Sequence, residues 1–139
     1  MMQYLGFNLQ VKESSSLKEI TLNVEADLPA KDINVNGDPS SAAFLVAAAL
    51  LVEGSDILVK NIMINKYRIG FYEVLKMMGA NITFENIRDD SGERIADIRA
   101  KYSKLKAILV PAHFAASMID EYPILAILAA KAEGTTRME

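Results

Sequence analysis

The chain repeats itself, and an internal repeat narrows the possible folds more than any single motif. Gly6-Phe-Asn-Leu-Gln-Val11 recurs in kind as Gly79-Ala-Asn-Ile-Thr-Phe84, 73 residues further on. Ala47-Ala-Ala-Leu-Leu-Val-Glu-Gly-Ser55 recurs as Ile127-Leu-Ala-Ala-Lys-Ala-Glu-Gly-Thr135, 80 residues further on. Two matches in one order, flanking the same series of strands, predict a unit of three or four strands and two helices used more than once. In this register Met1–Leu5 aligns with Val74–Met78, the second half of a helix, and the strand after Gly134 stops where another helix is due. The expectation is a piece of a larger α/β protein, with apolar surface left uncovered where a sheet-covering helix is halved.

Period and punctuation supply the elements. Asn8–Glu13, Ile20–Val24 and Lys31–Val35 are short, partly alternating and bounded by polar or turn residues, so they read as strands. Asp38-Pro39-Ser40-Ser41 opens a helix running to about Val52, with Asp38 or Ser40 as its cap and Gly54 just beyond its end. Asp56–Lys60 is a strand. Arg68–Met78 is a helix carrying Phe71, Val74, Leu75 and Met78 on one stripe, and Gly79 stops it. Strands follow at Asn81–Phe84, Asp97–Lys101 and Lys106–Val110, with Arg88–Arg94 as a polar loop among them. A last helix spans about Asp120 to Lys131, and a strand begins at Thr135. The predicted class is α/β (α+β).

Composition removes several functions. A hydrophobic fraction of 51% supports a buried core, and a net charge of −3 spread along 139 residues leaves no electrostatic footprint for nucleic acid. Cysteine is absent, which excludes disulfides and thiolate metal sites and fits a reducing cytoplasm. The start, Met-Met-Gln-Tyr-Leu-Gly, lacks the basic and apolar regions of a signal peptide. The longest apolar stretch, Ala42–Val52, is well short of the roughly 20 residues that span a bilayer. A soluble protein without membrane or nucleic-acid partners is expected.

Few residues carry chemistry. The single histidine, His113, lies in a predicted loop with no second ligand or nucleophile near it, which favours a plain surface role. Gly70 and Gly79 are isolated, and nothing matches a phosphate-cradling loop. Ser14-Ser15-Ser16 reads as a hairpin turn and Met77-Met78 as core. Two helix entrances stand out: Asp38-Pro39-Ser40-Ser41 and Ile119-Asp120-Glu121-Tyr122-Pro123 occupy nearly equivalent places in the two repeats. Each sets a carboxylate beside free N–H groups and the positive end of a helix dipole. Physical chemistry alone ranks capping ahead of catalysis at both. Asp120 differs in following a mixed, loop-like approach, Pro111–Ile119.

These segments resemble a known family. Asn36-Gly-Asp-Pro-Ser-Ser-Ala-Ala-Phe44 resembles the start of the second lobe of 5-enolpyruvylshikimate-3-phosphate synthases. Arg68-Ile-Gly70 with Glu73-Val-Leu-Lys-Met-Met-Gly-Ala80 is similar to that family's Thr-Arg-Thr-Gly segment and Met-Gly-Ala helix end. Ser117-Met-Ile-Asp-Glu-Tyr-Pro-Ile-Leu125, then Ala132-Glu-Gly-Thr135, is the most specific match and resembles the glyphosate-tolerant bacterial class. The likeness runs along the whole chain, yet two lobes of three such units would need roughly 400 residues or more. It implies residues 1–35 as the end of a preceding unit and 36–139 as an incomplete part of the second lobe, within an inside-out barrel of repeated strand–helix units.

The resemblance implies transfer of the enolpyruvyl group of phosphoenolpyruvate to the 5-hydroxyl of shikimate 3-phosphate, a step of the shikimate pathway to chorismate and the aromatic amino acids. It implies a cytoplasmic enzyme with no metal or organic cofactor, working by lobe closure, basic phosphate clamps and acid–base carboxylates. Asp120 matches the aspartate that contacts the shikimate hydroxyls and accepts a proton, so it is the implied catalytic and substrate-binding residue. Asp38 matches a lobe-entry aspartate, implied to be structural. The first-lobe phosphate ligands and the Lys-Glu-Ser-Asp-Arg motif due after Gly134 are not in this chain. Lys66-Tyr67-Arg68-Ile69 also departs in part from the family's Asn-Pro-Thr-Arg-Thr core. The expected chain is therefore inactive alone, the rest of the enzyme being missing from it. The alternatives are a fragment of the transferase acting on UDP-N-acetylglucosamine, and a non-catalytic remnant or binding module.

Overall fold

A computed structural model describes residues 1–23, 28 and 30–138. In chain order it holds strands β1 (Asn8–Glu13) and β2 (Lys18–Asn23), helix α1 (Pro39–Leu51), strand β3 (Asp56–Met63) and helix α2 (Gly70–Met77). Strands β4 (Asn81–Asp90), β5 (Glu93–Lys101) and β6 (Leu109–Val110), helix α3 (Tyr122–Lys131) and strand β7 (Arg137–Met138) follow. Two 3-10 turns, Ala112–Ser117 and Ile119–Glu121, lead into α3. This mixture of helices and sheets is the expected α/β (α+β) class.

The repeat has a structural counterpart at two levels. Gly6 and Gly79 both take left-handed backbone, with φ of 98° and 86°, a conformation open to glycine at little steric cost. Around each, the same bonds close the turn: Gly6 N–H donates to Gln3 O and Phe7 N–H to Met2 O, as Gly79 N–H does to Lys76 O and Ala80 N–H to Leu75 O. That pairing is a Schellman turn, which satisfies orphan carbonyls at a helix end. At the level of topology, α1 and α3 are both crossovers between parallel segments. Gly37, just before α1, bridges Ile62 of β3 in parallel, and β6 pairs in parallel with β7 on either side of α3. Parallel pairs require such a crossover, so the two helices hold equivalent places in strand–helix–strand units.

The core lies where α1, α2 and α3 meet one sheet. β3, β5 and β4 form an antiparallel sheet with β5 in the centre, and Ile95, Ala96, Ile98 and Ala100 of β5 are buried. Phe71, Tyr72, Val74 and Leu75 of α2 are fully buried, as are Val46 and Leu50 of α1 and Leu125 and Leu128 of α3. Small residues on α1 (Ala42, Ala43, Ala47, Ala49) fill its inner face. α1 and α3 are apolar all round, and Phe44, Leu45 and Ile127 stand exposed on their outer sides; a helix of that composition belongs inside a protein.

β3 bulges opposite Asp97, a buried residue of the central strand, and β4 bulges one position along, opposite Ala96 and just after the Glu85 that pairs with Asp97. Asn61 and Asn86, at the bulges, have left-handed φ of 59° and 50°, which asparagine tolerates better than most residues. Asp97 accepts the Asn61 N–H at 2.9 Å and the Asn86 side-chain amide at 2.9 Å. Arg88 closes the knot, donating to the Asn61 side chain and to Asn86 O. The Asn61 carbonyl in turn accepts Gly37 N–H at 2.8 Å. A buried carboxylate thereby sets where the chain enters α1.

Several expected elements differ. Arg88–Arg94 is a hairpin rather than a loop: β4 runs to Asp90, β5 starts at Glu93, and Ser91 and Gly92 turn between them with φ of 49° and 76°. Two successive left-handed residues match the twist of the flanking strands. Among the described residues Lys31–Val35 forms no strand; Asn34 N–H is taken instead by Ser91 Oγ at 3.0 Å. Of the expected strand Ile20–Val24, residues 20–23 lie within β2, and Val24 falls outside the described residues. Of Lys106–Val110 only Leu109–Val110 joins a ladder, although Lys106 bridges Glu133.

Candidate functional site

The two helix entrances are built differently. At α1, Asp38 has extended backbone and accepts the Ser41 N–H at 2.8 Å and the Ser41 hydroxyl at 2.8 Å. Arg68 donates to Asp38 Oδ1 and to Ser40 Oγ, each at 3.2 Å. Burial works to raise the Asp38 pKa, but the Ser41 and Ser40 hydrogen bonds and the Arg68 charge outweigh it, and the net shift is down. Asp38 is the expected cap, and Arg68 ties the start of α2 to it.

Asp120 does not cap. It lies in the 3-10 turn Ile119–Glu121, one residue before the Glu121 that occupies the cap position of α3, and no side chain caps that helix. The physical reason is Met118, whose backbone (φ −145°, ψ 23°) breaks the helical run while its side chain, 1% exposed, anchors in the core. Ile119 and Asp120 are turned outward by that anchor. Among the described residues Asp120 is left as an exposed carboxylate with no side-chain hydrogen bond of its own.

Its neighbour Glu121 is the residue that sequence reasoning missed. Glu121 is 4% exposed, and among the described residues nothing donates to its Oε1. The signal was the spacing of Met118, Glu121, Leu125 and Leu128, which puts a glutamate on the buried stripe of a helix entrance. Tyr72 of α2 is tied to the α1 entrance: its hydroxyl donates to Pro39 O at 2.6 Å. Burial, then the negative charges of Glu121 and Asp38, push the Tyr72 phenol up, which keeps it a donor.

An open groove of about 480 Å³ runs along the seam where the start of α2 meets the turn Ala112–Ser117, lined in part by Lys66, Glu73 and His113. His113 is exposed and its ring rests on Phe114, 4.2 Å between centroids, as expected of a surface residue. No cluster of three or more potential metal ligands occurs among the described residues. No helix among them is long and apolar enough to cross a membrane.

Comparison with known proteins bears on this arrangement. The family model described as EPSP synthase (3-phosphoshikimate 1-carboxyvinyltransferase) matches residues 1–139. The 3-phosphoshikimate 1-carboxyvinyltransferase of Zymomonas mobilis is 49% identical over 139 residues, covering 100% of this chain and 31% of that protein. The protein of the same name from Jannaschia sp. is 50% identical, covering 99% of this chain and 31% of its own length. The solved structure of EPSP synthase from Acinetobacter baumannii superposes with a TM-score of 0.89 at 41% identity, covering 99% of this chain and 30% of that one. The chain thus spans about 31% of the length of the curated relatives it matches. With a family model over its whole length and a shared fold, this chain belongs to the EPSP synthase family.

Proposed function

We propose that this chain is the part of a 3-phosphoshikimate 1-carboxyvinyltransferase that carries Asp120, and that the whole protein transfers the enolpyruvyl group of phosphoenolpyruvate to the 5-hydroxyl of shikimate 3-phosphate. Family membership over residues 1–139 is the observation that carries the reading. Residues 1–35 then belong to a preceding unit and residues 36–139 to the second lobe. The apolar outer faces of α1 and α3 are surfaces for the remainder of the protein to cover. The enzyme works in the cytoplasm, as part of the shikimate pathway, and without a metal or organic cofactor.

In this reading Asp120 contacts the shikimate hydroxyls and accepts the proton that the attacking hydroxyl loses. Its exposure and its lack of a side-chain partner support the role, because a base must be ionised and within hydrogen-bond reach of the proton it takes. Asp38 is structural, its carboxylate occupied by Ser41 and Arg68. The experiment is Asp120→Asn in the full-length protein. Melting is expected to stay near normal, since no cap or buried bond is lost, while turnover falls about 100-fold or more, the usual scale for a positioned acid–base group. Unchanged turnover would reduce Asp120 to a surface residue.

A further inference from the structure

Gly70, the first residue of α2, is pressed against the segment that carries Asp120. A Cβ built on Gly70 would lie 2.1 Å from Ser117 Oγ, 3.1 Å from Ser117 Cβ and 3.3 Å from Phe114 O. The first separation is well inside contact distance, so no side chain fits there while Ser117 keeps its place. Ser117 is held: its hydroxyl donates to Phe114 O at 2.9 Å, bracing the 3-10 turn, and the next residue, Met118, is anchored in the core. The backbone of Gly70 is not left-handed, and alanine would favour the helix more than glycine does. Close approach is therefore what the missing side chain serves.

We propose that Gly70 is a positioning residue for the enolpyruvyl transfer: it lets α2 close on Ser117 and so sets where Asp120 stands. The inference rests on the reading of Asp120 as proton acceptor. Because Asp120 has no side-chain hydrogen bond among the described residues, its place is set by its backbone, fixed by Ser117 and Met118 on one side and the buried Glu121 on the other. A displacement of about 1 Å at a reacting group can cost about 100-fold in rate.

The test is Gly70→Ala in the full-length protein. The turnover number kcat is expected to fall at least about tenfold while KM for phosphoenolpyruvate stays within about threefold, as for a displaced base. Added to Asp120→Asn, the same change should cost less than about threefold more, because both act through one carboxylate. Ser117→Gly combined with Gly70→Ala removes the two nearest atoms, Ser117 Oγ and Cβ, and leaves only the milder contact with Phe114 O, so it should return most of the lost turnover; if Gly70→Ala alone fails to fold, this double variant must fold and turn over. Wild-type kcat in Gly70→Ala, no rescue in the double variant, or full additivity with Asp120→Asn overturns the proposal. Should Asp120→Asn itself leave turnover unchanged, the assignment of Asp120 fails and the catalytic role of Gly70 falls with it. A crystal structure of Gly70→Ala separates the two failures: Asp120 displaced by more than about 0.5 Å upholds the packing, and an unmoved Asp120 refutes that as well.

Discussion

Replacing Asp97 by alanine should loosen the bulges of β3 and β4 and, through Asn61, the entry to α1. The carboxylate accepts two hydrogen bonds of 2.9 Å, from Asn61 N–H and from the Asn86 side chain. Bonds to a charged acceptor contribute about 1.5–3 kcal/mol each, but Asn61 and Asn86 are exposed and recover part of this from water. A local cost of about 2 kcal/mol follows, equivalent to a roughly 30-fold rise in the opening equilibrium. Asp97→Asn keeps the volume and one accepting oxygen but turns an amide donor toward one of the two donors, and should cost about 1–2 kcal/mol. The assay is hydrogen exchange, read by mass spectrometry, in peptides covering Asn61 and Gly37 of the full-length protein. The Asn61 N–H bond, then the Asn86 bond, hold the Asp97 pKa below its ordinary value against burial, with Arg88 and Lys60 adding their charges. A depressed folded pKa means stability that is present above the unfolded value of about 3.9 and lost as pH falls through the folded one. The difference between wild type and Asp97→Ala should therefore be full at neutral pH and shrink below about pH 4. Unchanged exchange around Asn61 and Gly37 in Asp97→Ala would refute the idea that this carboxylate sets the bulges.

Two further substitutions probe the α1 entrance. Asp38→Ala should lower stability by about 1 kcal/mol and Asp38→Asn by only a few tenths, roughly, since asparagine caps nearly as well; equal losses in thermal unfolding would show that the Arg68 pair, not the cap, matters. Tyr72→Phe leaves Pro39 O without its buried donor and should cost about 1–2 kcal/mol by the same measurement, whereas an unchanged midpoint would mean that water replaces the hydroxyl.

Local chemistry was enough for much of this chain. The Asp-Pro-Ser-Ser entrance, the apolar stripe of α2 and the glycine stops need only neighbours within one or two turns, so α1 with its Asp38 cap, and α2 with its stop at Gly79, are legible from residue order. Repetition extended that reach, because the Schellman turns at Gly6 and Gly79 and the crossovers at α1 and α3 reuse one local solution. At Asp120 capping was the favoured physical reading, and the break at Met118 moves Asp120 off the cap; the role proposed for it comes from the resemblance of its motif, not from local physics.

What residue order did not reach is the meeting of distant segments. Asp97 is an ordinary strand aspartate until Asn61 and Asn86 approach from strands on both sides. Glu121 becomes a buried carboxylate only because Met118 and Leu125 are drawn into a core shared with α1 and α2. Gly70 is an isolated glycine until Ser117, 47 residues later, comes to rest where its Cβ would be. Burial of a polar group and close approach of two backbones are properties of pairs far apart in sequence. Period and capping, which act within a few residues, cannot encode them, so they are settled only when the layers pack.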